Sequence, residues 1–162
     1  MEKVTVLGVG NILLSDEGFG VRVVEHLLSR FRFSESVEVI DGGTMGYELL
    51  RFLHGTDKLI LVDAIKGSRP PGTIYRFTGE EVKTYYRQKV SMHQLGIQEV
   101  LAMLEIGEKP IAQMLVLGIE PASLEMSLSL SPIIAPLVET VSAEIAKQLA
   151  AWGLPFFPLT AD

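Results

Sequence analysis

Apolar residues recur along this chain at two alternating spacings. Val4-Thr-Val-Leu-Gly-Val9 is short, mostly apolar or β-branched, and closed by Gly10 and Asn11, the pattern of a buried strand. From Ser15 the spacing changes: Gly20, Val23, Val24, Leu27, Leu28 and Phe31 recur at three and four residues and predict a helix. Ser15 can cap that helix, and Asp16 and Glu17 fall in its first turn, where negative charge meets the positive end of the helix dipole. Residues 37–40 predict a second strand stopped by Asp41, Gly42 and Gly43, and residues 46–54 a helix closed by Gly55. Residues 59–62 predict a third strand ending at Asp63, 73–77 an edge strand of mixed polarity, and 114–117 a further buried strand. Ser91-Met-His-Gln94 has the form of a capping box, a hydroxyl with Gln three residues on, opening a helix through Leu95, Val100, Leu101 and Leu104. The last helix starts near Pro132 or Pro136, carries Ile134, Leu137, Val138, Val141, Ile145, Leu149 and Trp152 on one face, and ends at Gly153.

Strands alternating with helices imply an α/β domain with a mainly parallel, twisted sheet and helices on both faces, because parallel strands need crossovers and the helices are those crossovers. At 162 residues the chain is one domain, drawn here over 1–153 with 154–162 as a tail. In such sheets ligands gather at the carboxyl ends of the strands. Those ends carry Asp16 and Glu17 after the first strand, Asp41 after the second, Asp63 after the third and Glu120 after residues 114–117. His93 opens a helix in the same kind of connection.

Composition narrows the chemistry. An apolar share of 48% supplies a real core and excludes a disordered chain. With 14 Lys and Arg against 20 Asp and Glu, the net charge of −6 argues against nucleic acid or an anionic membrane as the main partner. The absence of cysteine excludes disulfides, Cys–zinc sites, iron–sulfur clusters and thiol nucleophiles. The first apolar run has no basic segment ahead of it, is broken by Gly8 and Gly10, and stops at Asp16, so it reads as neither signal peptide nor membrane span. A cytoplasmic protein is the expectation.

Two ligand readings compete at the carboxyl edge. Gly8-Val-Gly10 begins like the dinucleotide fingerprint GxGxxG, but its sixth position is Leu13, and Asp16 and Glu17 would place carboxylates where a pyrophosphate sits. Asp41 also lies further from Gly10 than the ribose-binding acid of that motif. The other reading is a metal site of Glu17, Asp63 and His93, three ligands leaving open positions as in catalytic sites, with donors that suit nickel or zinc. Plainer uses of these residues exist: first-turn acids, a strand-end cap, a helix-start histidine. His26 is expected at the surface, His54 in a helix's last turn, and Met45, Met92, Met103, Met114 and Met126 as core filler. No serine has the GxSxG elbow around it.

The chain resembles the hydrogenase maturation endopeptidases, which process the large subunit of nickel–iron hydrogenases. The carriers are Gly8-Val-Gly-Asn-Ile-Leu-Leu-Ser-Asp-Glu-Gly18 with Gly20 and Val21, Asp41-Gly-Gly-Thr44 with Gly46, Asp63-Ala64, and Ser91-Met-His-Gln-Leu-Gly96, in order and spacing from Val4 to about Gly153. The resemblance implies removal of a C-terminal extension from the large-subunit precursor after nickel insertion. It maps the family's metal site onto Glu17, Asp63 and His93, which would read nickel already held by the substrate, although zinc or cadmium-like divalent ions suit the same site. It casts Asp41 as a catalytic or positioning helper and assigns Glu120 no role. The implied partner is the precursor, with no nucleic acid and no membrane, and the protein is expected as a monomer. The rivals are a non-enzymatic, nickel-checking chaperone of the precursor and a nucleotide-binding enzyme.

Overall fold

Strand β1, Val4–Val9, is buried at every position, as a run of apolar residues without alternation requires of a strand covered on both faces. The computed structural model describes residues 2–45, 48–88 and 111–159. Among them, β1 lies between β3 (Val37–Gly43) and β4 (Lys58–Ala64) and pairs parallel with both, Val4 opposite Val37 and Lys58. Strand β6 (Gln113–Ile119) adds parallel to β4, and β5 (Ile74–Thr78) closes the edge antiparallel to β6, giving the order β3-β1-β4-β6-β5. The edge position expected for β5 from its mixed polarity is the one observed.

Alternate residues of each strand feed two cores. Val4, Val6, Ile60, Val62, Leu115 and Leu117 meet α1 (Phe19–Arg30) through Phe19, Val23 and Leu27, and α4 (Leu137–Ala151) through Val141, Ile145 and Leu149. On the other face Leu7, Leu59, Leu61 and Val116 meet Leu49 and Leu53 of α2 (Leu49–Leu53) and Val82 of α3 (Glu80–Gln88). The layering follows from the period of two, which sends neighbours to opposite faces. Each fully buried leucine such as Leu27 contributes about 1.5–3 kcal/mol.

The local readings err mainly at boundaries. β3 runs on through Asp41, Gly42 and Gly43, and β4 through Asp63 and Ala64, where strand ends were expected. The helix expected from Ser15 begins at Phe19, after a 3-10 turn over Ser15–Gly18. Ser15 does not cap it: its φ is +54°, and its Oγ donates to the carbonyl of Glu125. Phe31, placed on the helical stripe by spacing, is extended in the short strand β2 (Phe31–Arg32), and Leu28 points outward. Helix α3 was not anticipated; it is largely polar, with Val82 as its buried residue among those described. His26 is half-buried, edge-on to Phe31, instead of exposed. The helix expected from Ser91, the glycine at 46, Met92 and Met103 lie outside the described residues. Beyond Gly153, Phe157–Pro158 (β7) pairs antiparallel with β2, and Phe156 packs on Phe31 and Phe33.

Candidate functional site

Backbone contact, made possible by glycine, builds the carboxyl edge. A Cβ on Gly20 would stand 2.2 Å from the carbonyl oxygen of Val62 and 2.5 Å from that of Val9, and one on Gly8 would stand 2.1 Å from the Gly20 carbonyl oxygen. The first turn of α1 therefore rests directly on the ends of β1 and β4, with no side chain between. Val62 precedes Asp63, and Glu17 lies three residues before Gly20, so this seam brings the two segments carrying those carboxylates together. The place is where the connections of two adjacent parallel strands leave in different directions, the crevice that open α/β sheets use for ligands. Gly10 completes it: with φ +137°, and with a hypothetical Cβ only 1.9 Å from the Glu17 carbonyl oxygen, it lets the loop after β1 lie flat on the Ser15–Gly18 turn.

Four carboxylates are buried at this edge: Asp16, Glu17, Asp63 and Glu120. Two are anchors. Asp16, fully buried, accepts from the N–H groups of Ala122, Ser123 and Ser131 at 2.9, 2.9 and 2.7 Å and from the Ser131 hydroxyl at 2.7 Å. It ties the segment after β6 to the turn that carries Glu17. Asp16→Ala is expected to cost about 3 kcal/mol in urea denaturation, because buried N–H donors lose a charged acceptor. A loss below about 1 kcal/mol would show that these bonds are readily replaced by water.

Glu120 Oε1 accepts from the N–H groups of Gly67 and Arg69 at 2.8 and 3.0 Å and from the Tyr75 hydroxyl at 2.6 Å, and so pins the loop between β4 and β5. Burial first, then the hydrogen bond to Glu120 and its charge, push the Tyr75 phenol up to about 12. The folded protein thus holds this proton more tightly than the unfolded chain does. The stability it contributes is complete below about pH 10 and is lost as pH rises toward 12. In phenolate absorbance titrations, the difference between the parent and Tyr75→Phe is expected near pH 12. A difference centred on pH 10 would remove Glu120 as a partner.

Asp63 is fully buried, and its Oδ1 accepts from the N–H of Ala64 at 2.9 Å. Asp41 stands apart: it is exposed, its Oδ1 accepts from the Gly43 N–H at 2.9 Å, and it is level with Gly8, whose partner on the other side is Val62. Two strand spacings, about 10 Å, therefore separate the backbones at Asp41 and Val62. Asp41 lines a cleft of about 330 Å³ with Gly10, Asn11, Ile12, Leu13, Val21 and Thr44. His93 lies outside the described residues, and among those described no three His, Asp or Glu side chains are grouped to hold a metal ion. The anchoring roles of Asp16 and Glu120 had no sequence signal, since their partners at Ala122 and Gly67 lie 106 and 53 residues away.

Known proteins share the sequence and the fold of this chain over most of its length. A family model described as hydrogenase maturation protease matches residues 21–148. The chain is 40% identical over 160 residues to the Hydrogenase 2 maturation protease of Escherichia coli, covering 98% of each, and 37% identical to the hydrogenase expression/formation protein HupD of Rhodobacter capsulatus, covering 74% of it. Among solved structures, the hydrogenase maturating endopeptidase HybD from E. coli superposes with a TM-score of 0.92 at 38% identity, covering 96% of this chain and 97% of that one. The HybD protease of Thermococcus kodakarensis superposes with a TM-score of 0.74 at 26% identity, over 91% of this chain and 99% of that one.

Proposed function

The chain belongs to the hydrogenase maturation proteases, and from that premise we propose that it removes the C-terminal extension of a nickel–iron hydrogenase large-subunit precursor once nickel is in place. Glu17, Asp63 and His93 complete the coordination of nickel held by the substrate and so distinguish loaded from empty precursor. The observation that carries this reading is the seam at Gly20, which sets the segments bearing two buried carboxylates against each other at the ligand-binding end of the sheet.

The donor set fits a divalent ion. Glu17 and Asp63 are buried on adjoining segments, and a positive charge brought by the substrate would offset part of the cost of burying their charge. With an imidazole from His93 they form an N/O set suited to borderline ions, and zinc or a cadmium-like ion would occupy it as well. Nickel bound there supplies Lewis acidity to the scissile carbonyl. Glu17 and Asp63 orient the loaded substrate, while Asp41, exposed at the rim of its cleft, positions the extension or takes a proton from the attacking water. A protein without cysteine suits the reducing cytoplasm, where we place this activity in a monomer.

Intact mass of a cognate precursor, nickel-loaded and nickel-free, after incubation with the protein tests this. Loss of a short C-terminal peptide from the loaded form alone is the expected result. Equal cleavage of both forms would remove nickel reading, and no cleavage of a verified loaded precursor would leave a holding chaperone. Asp41→Asn is expected to lower the rate and alter the acidic limb of its pH profile. An unchanged rate and limb would take Asp41 out of the chemistry.

A further inference from the structure

The cleft of about 330 Å³ beside Asp41 is built mainly from aliphatic side chains. Val21, 2% exposed, forms its floor, and Ile12 and Leu13 form a wall. Asp41 is the one charged group lining it, and that carboxylate is exposed at the rim. Leu13 is 57% exposed, yet its backbone is fixed. Its N–H donates to Asn11 Oδ1 at 2.9 Å, and its carbonyl accepts from the Ser127 N–H at 3.0 Å. Gly10 N–H donates to the Gly43 carbonyl at 2.9 Å and joins this wall to the end of β3.

Polar groups complete the rim. With Asn11 Oδ1 taken by Leu13, the Asn11 amide nitrogen makes no bond among the described residues, and neither does the Thr44 hydroxyl. Asp41 uses Oδ1 on the Gly43 N–H, which leaves its second oxygen as an acceptor. An aliphatic floor with donors and an acceptor at its edge suits one residue of an extended peptide. The side chain enters, and the main-chain N–H and C=O meet the rim.

We propose that this cleft is a subsite for one aliphatic side chain of the C-terminal extension. The proposal rests on the reading of the chain as a processing protease. Continuity with the crevice supports this occupant: Asp41 is level with Gly8, about 10 Å across two strand spacings from Val62, a span of about three extended residues. The wall also runs from β1 straight into the turn that carries Glu17. A substrate held at Glu17 and Asp63 therefore reaches the cleft within a few residues. Size agrees, since a cavity of about 150 Å³ already holds a benzene ring, and this one takes a large side chain with its main chain but no folded surface. Charge decides the side chain. The Asp41 carboxylate is in water and grips a cation weakly, whereas an acidic side chain would meet like charge and lose hydration against Val21.

The test pairs the exposed wall with the substrate. Nickel-loaded precursors with each residue of the extension replaced in turn by Asp are cleaved by the parent and by Leu13→Lys, with intact mass as the readout. For the parent, one position is expected at which Asp lowers kcat/KM at least about tenfold while Leu, Ile and Met are accepted. At that position alone, Leu13→Lys is expected to cleave the Asp precursor faster than the parent does, and the natural precursor more slowly, with an unchanged Tm. The absence of a sensitive position, or a Leu13→Lys enzyme that ranks all precursors as the parent does, would overturn the subsite. A position that prefers Lys or Arg to Leu, with the preference lost in Asp41→Asn, would overturn it and assign the cleft to a cation. Binding of the same precursors, measured by surface plasmon resonance, separates this proposal from the protease reading. If the parent binds loaded precursor without cutting it, and Asp at one position weakens binding that Leu13→Lys restores, the protease reading fails and the subsite stands. A parent that neither cuts nor binds would overturn both.

Discussion

Glu17→Gln is expected to slow removal of the extension from nickel-loaded precursor by at least about a hundredfold, since loss of even an outer-shell partner of a metal site costs ten- to a hundredfold. The substitution keeps shape and volume and removes one negative charge. Its amide nitrogen turns donor hydrogens toward a cation, so the site loses attraction for nickel and gains repulsion. Folding is expected to survive, because the substitution is isosteric and Asp16 still ties the turn to residues 122, 123 and 131. Asp63→Asn should behave alike, although Asp63 is fully buried and its loss will also lower stability modestly. The decisive measurement is the ratio of cleavage rates for loaded and empty precursor. The parent should discriminate strongly, and both variants should lose that ratio along with the rate. A Glu17→Gln protein that still cleaves loaded precursor at the parent rate would remove Glu17 from the site.

Gly20→Ala is expected to destabilise the fold by about 4 kcal/mol or more, against 1–3 kcal/mol for ordinary overpacking. The added Cβ would meet two carbonyl oxygens, at 2.2 Å on Val62 and 2.5 Å on Val9. Both belong to the backbones of paired strands, so neither can swing aside as a side chain would. Relief requires lifting the whole N-terminal turn of α1 off β1 and β4, which opens the core around Phe19 and Val23. Thermal unfolding should show a fall in Tm of roughly 10 °C or more. A fall of less than about 3 °C would mean that the turn can shift on β1 and β4 at little cost.

Much of the architecture was legible because its cause is local. Strand β1, the buried core of β4, the edge character of β5 and the apolar face of α4 all follow from spacing and β-branching, which depend on a few neighbouring residues. The failures share a cause too. Ser15, Asp16 and Glu17 have the form of a helix cap and first turn, yet Asp16 bonds to residues more than a hundred positions away, and the turn stays 3-10 until Phe19. Met126 was read as core filler because methionine usually is, whereas its stretch is anchored with that side facing water. The candidate residues Glu17, Asp63 and Asp41 were visible as acids at strand ends; that Glu17 and Asp63 are buried and Asp41 exposed was not.

The alternation of strands and helices, the mainly parallel sheet and the concentration of acids at one edge were determined by the sequence itself, through periodicity and the crossover rule, both short-range properties of a chain. The tertiary structure alone decided that Asp16 is an anchor, tied to residues 122, 123 and 131. Asp16 and Glu17 carry the same charge in the same turn. The far end of the chain brings Asp16 its partners, a choice made by burial and hydrogen bonding across the fold.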